Sequence, residues 1–366
     1  MVLADGLQQL GAEVFGNCNY WRKSTAADGW LVRHDPEVQP GDCDLVVVSY
    51  LWPRWIDASF KVHVQPLPAQ LFAAGRRYRT AYLDLEDGYE TPSWQPEYRA
   101  FDAVFRAKYN VRCEHPANHH PWVLGLNHRI LEMTADAPPW AARRREVLVN
   151  FGASHPYVHS ARARAGPPFV AAARAHFAVN DRRDDLSLPP TDPYDRLMWE
   201  QTQRRHSRDY YERLKGAQAV AAFCGELIPP APFHPRYLVG GRRARLNRAL
   251  YDALAFVDPR PPRLIQWDSW RFWEALAAGC LVFNLDLPYF GVRLPVMPQD
   301  MVHYVAVRPD DPAAALEQLT RDPGLAGRIA AAGRSWALEH YSPKAIATRF
   351  LGHFADRPGQ AGSPPT

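Results

Sequence analysis

The first apolar residues of the chain, Val2, Leu3, Leu7 and Leu10, fall at helical spacing, and Gly11 stands where a helix would end. A helix over residues 2–10 is predicted, followed by a short apolar stretch at 12–15. Asp42-Cys43-Asp44 then precedes Leu45-Val46-Val47-Val48-Ser49-Tyr50, a β-branched run without polar alternation. Such a run marks a parallel strand buried on both faces. A short helix at 67–74, a strand at 80–85, a strand or helix end at 101–105 and an irregular stretch at 114–121 complete one mainly parallel α/β unit, ending near Met133. An α/β unit normally opens on a strand. The leading helix therefore predicts either a first strand upstream of this sequence or an unusual start.

The stretch 134–145, with Pro138-Pro139 and Arg143-Arg144-Arg145, reads as a linker. A second alternating series follows. Strands are predicted at 147–151, 219–224, 281–284 and 302–307, and helices at 210–214, 270–278, 312–319 and 325–340. The division is 1–140, 141–355 and a Pro, Gly and Ser-rich tail at 356–366 expected to be disordered. Two parallel sheets facing each other make a cleft, and ligands of such sheets bind at the carboxyl ends of the strands.

Composition narrows the classes. The chain has 366 residues, 47% hydrophobic and 22% charged, which is globular and long enough for two cores. A net charge of +4 is far below a nucleic-acid-binding footprint, so no nucleic-acid partner is expected. Only five of the 43 basic residues are lysine, an arginine excess that suits phosphate and carboxylate but also follows from codon bias. No apolar run reaches the ~20 residues of a membrane-spanning helix, and the first ten residues lack a signal-peptide layout. The expectation is a cytoplasmic protein, with peripheral membrane contact left open. The five scattered cysteines suggest neither a disulfide framework nor a zinc knuckle and are expected to be reduced and mostly buried.

The densest chemistry lies in Asp268-Ser269-Trp270-Arg271-Phe272-Trp273-Glu274-Ala275-Leu276-Ala277-Ala278-Gly279-Cys280. Asp268 or Ser269 can cap a helix whose first amides form an anion site. Arg271 in its first turn suits a diphosphate, and Glu274, three residues on and on the same face, suits sugar or ribose hydroxyls. Gly279 ends the helix. An ordinary surface ion pair on a helix packed through Trp270, Trp273 and Ala277 gives the same spacing.

This segment resembles the nucleotide-sugar-binding helix of GT-B glycosyltransferases, particularly the exostosin-like and spore-maturation CgeB-like groups. Tyr211-Glu212-Arg213-Leu214 with 219–225 is similar to the helix and strand preceding that motif, and Asp310-Asp311-Pro312 onward to Phe350 is similar to the C-terminal region. The resemblance covers residues 209–350. It implies an α/β GT-B fold of two Rossmann-like domains, the first holding the acceptor and the second the donor. It also implies that Glu274 binds the donor ribose, that Arg271 and Ser269 contact its phosphates, and that Gly225 lies on the donor side. Gln266 stands where many retaining GT-B enzymes carry a second glutamate, which favours the exostosin-like and CgeB-like comparison. The implied activity is metal-independent transfer of a hexosyl or related group from a nucleotide-sugar to a glycan, lipid-linked or small-molecule acceptor, with no cofactor. A nucleotide-sugar epimerase of the same fold and a non-catalytic sugar-binding protein are the alternatives.

Further candidates follow from position. His155, Arg162 and Arg164, beyond the strand at 147–151, are expected to line the cleft and meet phosphate. The His155 and His159 pair, broken by Pro156, is not read as a metal site. Glu86 and Asp87, after the strand at 80–85, are the candidate general bases toward an acceptor hydroxyl. Lys108 and His115, His119, His120 and His128 are alternative acceptor or phosphate contacts. Trp52, Trp55 and Trp94 can stack on sugar rings.

Overall fold

The computed structural model describes residues 1–50, 54–56, 62–64, 66–85, 95–151, 160–182, 188–202, 204, 207–228, 253 and 260–355, with backbone alone for 54–56 and 62–64. It contains two parallel sheets, as the two-unit α/β expectation requires. The first has four strands in the order Leu45–Ser49, Arg79–Asp84, Ala103–Ala107, His119–Trp122, all parallel. The second has five in the order Ala178–Asn180, Arg144–Leu148, Ala217–Ala221, Leu281–Leu285, Val305–Val307, again all parallel. Interior strands are largely apolar, as strands buried on both faces require, and the polar residues among them find partners, as Arg106 does with Asp84 at 2.6 Å. All five residues of Ala103–Ala107 and of Leu281–Leu285 are buried.

Local chemistry explains several boundaries. Ser207 accepts from the Tyr210 amide and starts the helix Arg208–Gly216, and Asp311 does the same for Pro312–Thr320 through Ala314. Gly279, at φ +69°, ends the helix Trp270–Ala277 and turns the chain into the next strand.

Three sequence expectations change. The stretch 114–121 is not irregular throughout: His119–Trp122 forms a strand, and its Pro121 is tolerated because the strand lies at a sheet edge. The stretch 134–145 is not a linker throughout, since Arg144 and Arg145 open the strand Arg144–Leu148 and the residues before them are an ordered connection. Within it the Trp140 indole donates to the Gln218 carbonyl at 2.9 Å, and the Arg143 guanidinium donates to the Pro138 carbonyl at 2.8 Å. The cysteines are all free, but only Cys280 is buried, whereas Cys18 is exposed.

The predicted leading helix is present as Val2–Gln9 and precedes a small sheet of Phe15–Gly16, Trp30–His34 and Tyr20–Arg22. The last helix, Pro343–Ala355, runs back to the first sheet. There Phe350 packs on Phe105 at a 4.8 Å centroid distance, and Gly6 of the leading helix comes so close to the Pro343 carbonyl that a Cβ would overlap it. One continuous core joins Val2, Phe105 and Trp122 to Val220, Leu281 and Tyr341. No helix among the described residues is long and apolar enough to cross a membrane.

Candidate active site

A cavity of about 830 Å³ opens between the two sheets, within the range of small-molecule sites. Its position follows from topology. Tyr50, Leu85, Lys108 and Val123, each the first residue beyond a strand of the first sheet, line one wall. Asn150, Cys224 and Gly225, beyond two strands of the second sheet, line the other. Both sheets thus present their carboxyl ends to the same space.

The helix Trp270–Ala277 supplies the main polar features. Phe272, Trp273, Ala275 and Leu276 are buried and fix it against the core, where Trp273 stacks on Trp336 at 6.1 Å. Ser269, Arg271 and Glu274 all reach the cavity. Ser269 stands at the N-cap but its side chain makes no capping hydrogen bond. Asp268 accepts from the Leu124 amide at 2.6 Å and from the Trp273 indole at 2.6 Å, joining the two walls. That leaves the Ser269 hydroxyl buried with no hydrogen-bond partner among the described residues. Nor does the Arg271 guanidinium, among those residues, make a hydrogen bond or an ion pair. An orphan hydroxyl, an uncommitted cation and a helix N-terminus therefore converge on one space, and all three favour an anion.

Glu274 is 4% exposed and accepts from the Tyr210 hydroxyl at 2.8 Å and the Tyr211 hydroxyl at 3.2 Å. Tyr210 also lines the cavity. Burial first, and the adjacent Glu274 carboxylate second, push both phenols well above their ordinary range, so both remain O–H donors.

Gly225, at φ +96°, is a cavity residue whose identity is set by close approach: a Cβ would overlap the Ile265 carbonyl and come within 3.1 Å of the Trp267 amide. Arg162 lines the cavity and donates to the Phe223 carbonyl at 3.1 Å and to Cys224 Sγ at 3.2 Å. Arg164 is not brought to the wall; it lies on the helix Ala161–Ala173, two residues past Arg162 and therefore on another face. His155, Glu86 and Asp87 lie outside the described residues, as do the side chains of Trp52, Trp55 and Trp94.

Lys108 lines the cavity, whereas the histidines named with it do not. His115 stacks on Tyr109 at 3.8 Å, His120 packs on His353 at 4.4 Å, the His119 ring meets the Asn118 side chain, and the Trp21 indole packs on His128.

Three wall residues among those described carry left-handed backbones without being glycine: Lys108 at φ +68°, Arg204 at φ +68° and Gln266 at φ +52°. Each costs on the order of 1–3 kcal/mol, and such outliers concentrate at functional sites. Sequence reasoning weighed Lys108 only as an alternative and Gln266 only as a departure, and it missed Tyr210 as a cavity residue.

No protein-family model matches the chain, and no curated protein matches it. Among solved structures, it is similar to a glycosyltransferase from Rickettsia africae, with 11% identity over 97% of this chain and 94% of that one and a TM-score of 0.49. It is also similar to AviGT4, a glycosyltransferase involved in avilamycin A biosynthesis, with 14% identity over 96% and 86% and a TM-score of 0.43. A third is HepE of Anabaena in complex with UDP and glucose, with 10% identity over 77% and 73% and a TM-score of 0.38.

Proposed function

We propose that the protein is a GT-B glycosyltransferase that moves a sugar from a nucleotide-sugar donor to an acceptor hydroxyl. The observation that carries this reading is the convergence of Ser269, Arg271 and Glu274 on the cavity between two parallel sheets. In the proposed reaction the acceptor oxygen attacks the anomeric carbon, and the bond to the diphosphate oxygen breaks. Arg271, the Ser269 hydroxyl and the amides at the start of Trp270–Ala277 receive the negative charge that develops on the departing diphosphate. Glu274 accepts from the ribose hydroxyls, and Arg162 adds a cation to the same wall. The acceptor seats against the first sheet, where Tyr50, Leu83, Leu85 and Leu124 line the cavity. Glu86 or Asp87 takes the acceptor proton in this scheme.

The test is donor binding followed by product analysis with UDP-, GDP- and dTDP-sugars. Arg271→Ala should weaken donor affinity about 10- to 100-fold, the loss of a charge-assisted hydrogen bond, while leaving unfolding free energy within about 0.5 kcal/mol. Unchanged donor affinity in that variant would sink the phosphate assignment. Interconversion of the donor sugar without acceptor would instead identify an epimerase, and binding without turnover a sugar-binding protein.

A further inference from the structure

We propose that Tyr210 and Tyr211 form a hydroxyl clamp that fixes Glu274 as an acceptor-only group, so that this wall selects a ribonucleotide over its 2′-deoxy counterpart. The inference rests on the donor reading above and adds to it a positioning pair and a specificity.

The two tyrosines are adjacent on the helix Arg208–Gly216, yet their hydroxyls reach different oxygens of one carboxylate, Tyr210 to Oε2 and Tyr211 to Oε1. Adjacent helical residues point about 100° apart, so both can meet one group only if that group sits between their two directions. Their rings, 5.4 Å apart and tilted by 58°, hold that arrangement. A carboxylate that receives an O–H on each oxygen is fixed in rotation and behaves as an acceptor. Its ligand must then present donors. A ribose diol does so, whereas a 2′-deoxyribose brings a C–H to the same position. A site built to meet a hydroxyl discriminates strongly against the analogue that lacks it.

The two tyrosines differ in one useful respect. Tyr210 lines the cavity, but Tyr211 does not and is fully buried. Tyr211 therefore acts on a ligand through the residues it touches, with its hydroxyl on Glu274 and its ring on Tyr210. Among the described residues, the charged and titratable groups that act electrostatically on one or other of the two tyrosines, besides Glu274, include Arg271 one turn earlier on its own helix, Arg129 from the helix His128–Thr134, and Cys280 beyond the helix end. Tyr341, from Leu325–Tyr341, packs on Trp273 of the same helix. None of these supplies the O–H that Tyr211→Phe removes.

The experiment uses the full chain and measures binding of UDP, GDP and ADP and their 2′-deoxy forms. For whichever base is bound, wild type should prefer the ribonucleotide by about tenfold or more. Tyr211→Phe should lose most of that preference and raise donor KM about tenfold at nearly unchanged kcat. It should also move the acid limb of the 1/KM profile to higher pH, because removing a donor to the charged form favours protonation. A merely structural tyrosine would lower thermal stability without moving that limb. Tyr210→Phe provides a second variant with the same expected direction. If both phenylalanine variants keep the ribose preference and the wild-type pH profile while Glu274→Gln loses the preference, the clamp is overturned and the donor reading stands. If Glu274→Gln and Arg271→Ala both bind nucleotide like wild type, the donor reading falls and the clamp with it.

Discussion

At Gly225 the backbone φ is +96° and a Cβ would overlap the Ile265 carbonyl, so the residue is required by conformation and by space together. Gly225→Ala should cost roughly 2–5 kcal/mol, the sum of a left-handed alanine and an overpacked contact. Urea unfolding checks this, and a loss below about 1 kcal/mol would mean that the loop yields. The contrast with its neighbours shows what single residues disclose. Arg271 and Glu274 are legible in sequence as one helix face by periodicity, whereas the donor roles of these two and of Ser269 come from the resemblance. Lys108 and Gln266 are not legible, since neither side chain favours φ above zero and their left-handed backbones are imposed by tertiary packing. Nothing in the sequence ties Tyr210 and Tyr211 to the cavity; what distinguishes them is a carboxylate more than 60 positions away.

Among elements, the helix Arg208–Gly216 matters because it carries the tyrosine pair, and its first turn is tied down electrostatically. Arg208 Nε meets Asp195 Oδ2 at 2.8 Å, while buried Arg129 meets Asp195 Oδ1 at 2.5 Å. Burial pushes the Asp195 carboxyl up, but hydrogen bonds and charge from Arg208 and Arg129 outweigh it and hold the carboxyl below its usual range. A carboxyl depressed in the folded state stabilises the fold above its unfolded value, about pH 4, and loses that contribution as pH falls through the lower folded value. Stability should therefore decline on the acid side of about pH 4. Asp195→Asn should flatten this limb and cost about 3 kcal/mol at pH 7, mostly from stranding Arg129, since Arg208 stands in solvent. An unaltered acid limb in that variant would remove Asp195 from the account. None of this network is visible in sequence: Asp195, Arg129 and Arg208 come from three separate helices.

At the scale of the whole molecule, the parallel sheets were legible because buried strands must be continuous apolar runs, but the way the two halves meet was not. Beside the shared apolar core, the seam is held by backbone groups and a few buried polar side chains. Asn110 is 1% exposed; its amide donates to the Leu264 carbonyl at 3.1 Å and the Phe290 carbonyl at 2.9 Å, and its oxygen accepts from the Arg112 amide at 3.0 Å. Arg293 donates its amide to the Tyr109 carbonyl, and Leu126 donates to that of Tyr341. The position of Asn110 is telling, since it lies two residues after Lys108 and bonds two residues before Gln266. One side chain therefore braces the chain segments that carry both strained walls of the cavity. Asn110→Ala would take the donor from the buried Leu264 carbonyl, whereas the Phe290 carbonyl keeps the Leu264 amide at 3.1 Å, so the expected loss is about 1–3 kcal/mol. Because the seam is shared, that loss should appear as a shift of one cooperative transition in tryptophan fluorescence and circular dichroism alike. It should also bring a higher donor KM, as the wall bearing Gln266 loses its brace to the wall bearing Lys108. Two separated transitions in the wild-type protein would show that the halves fold independently, and the brace between the cavity walls would then lose its energetic basis.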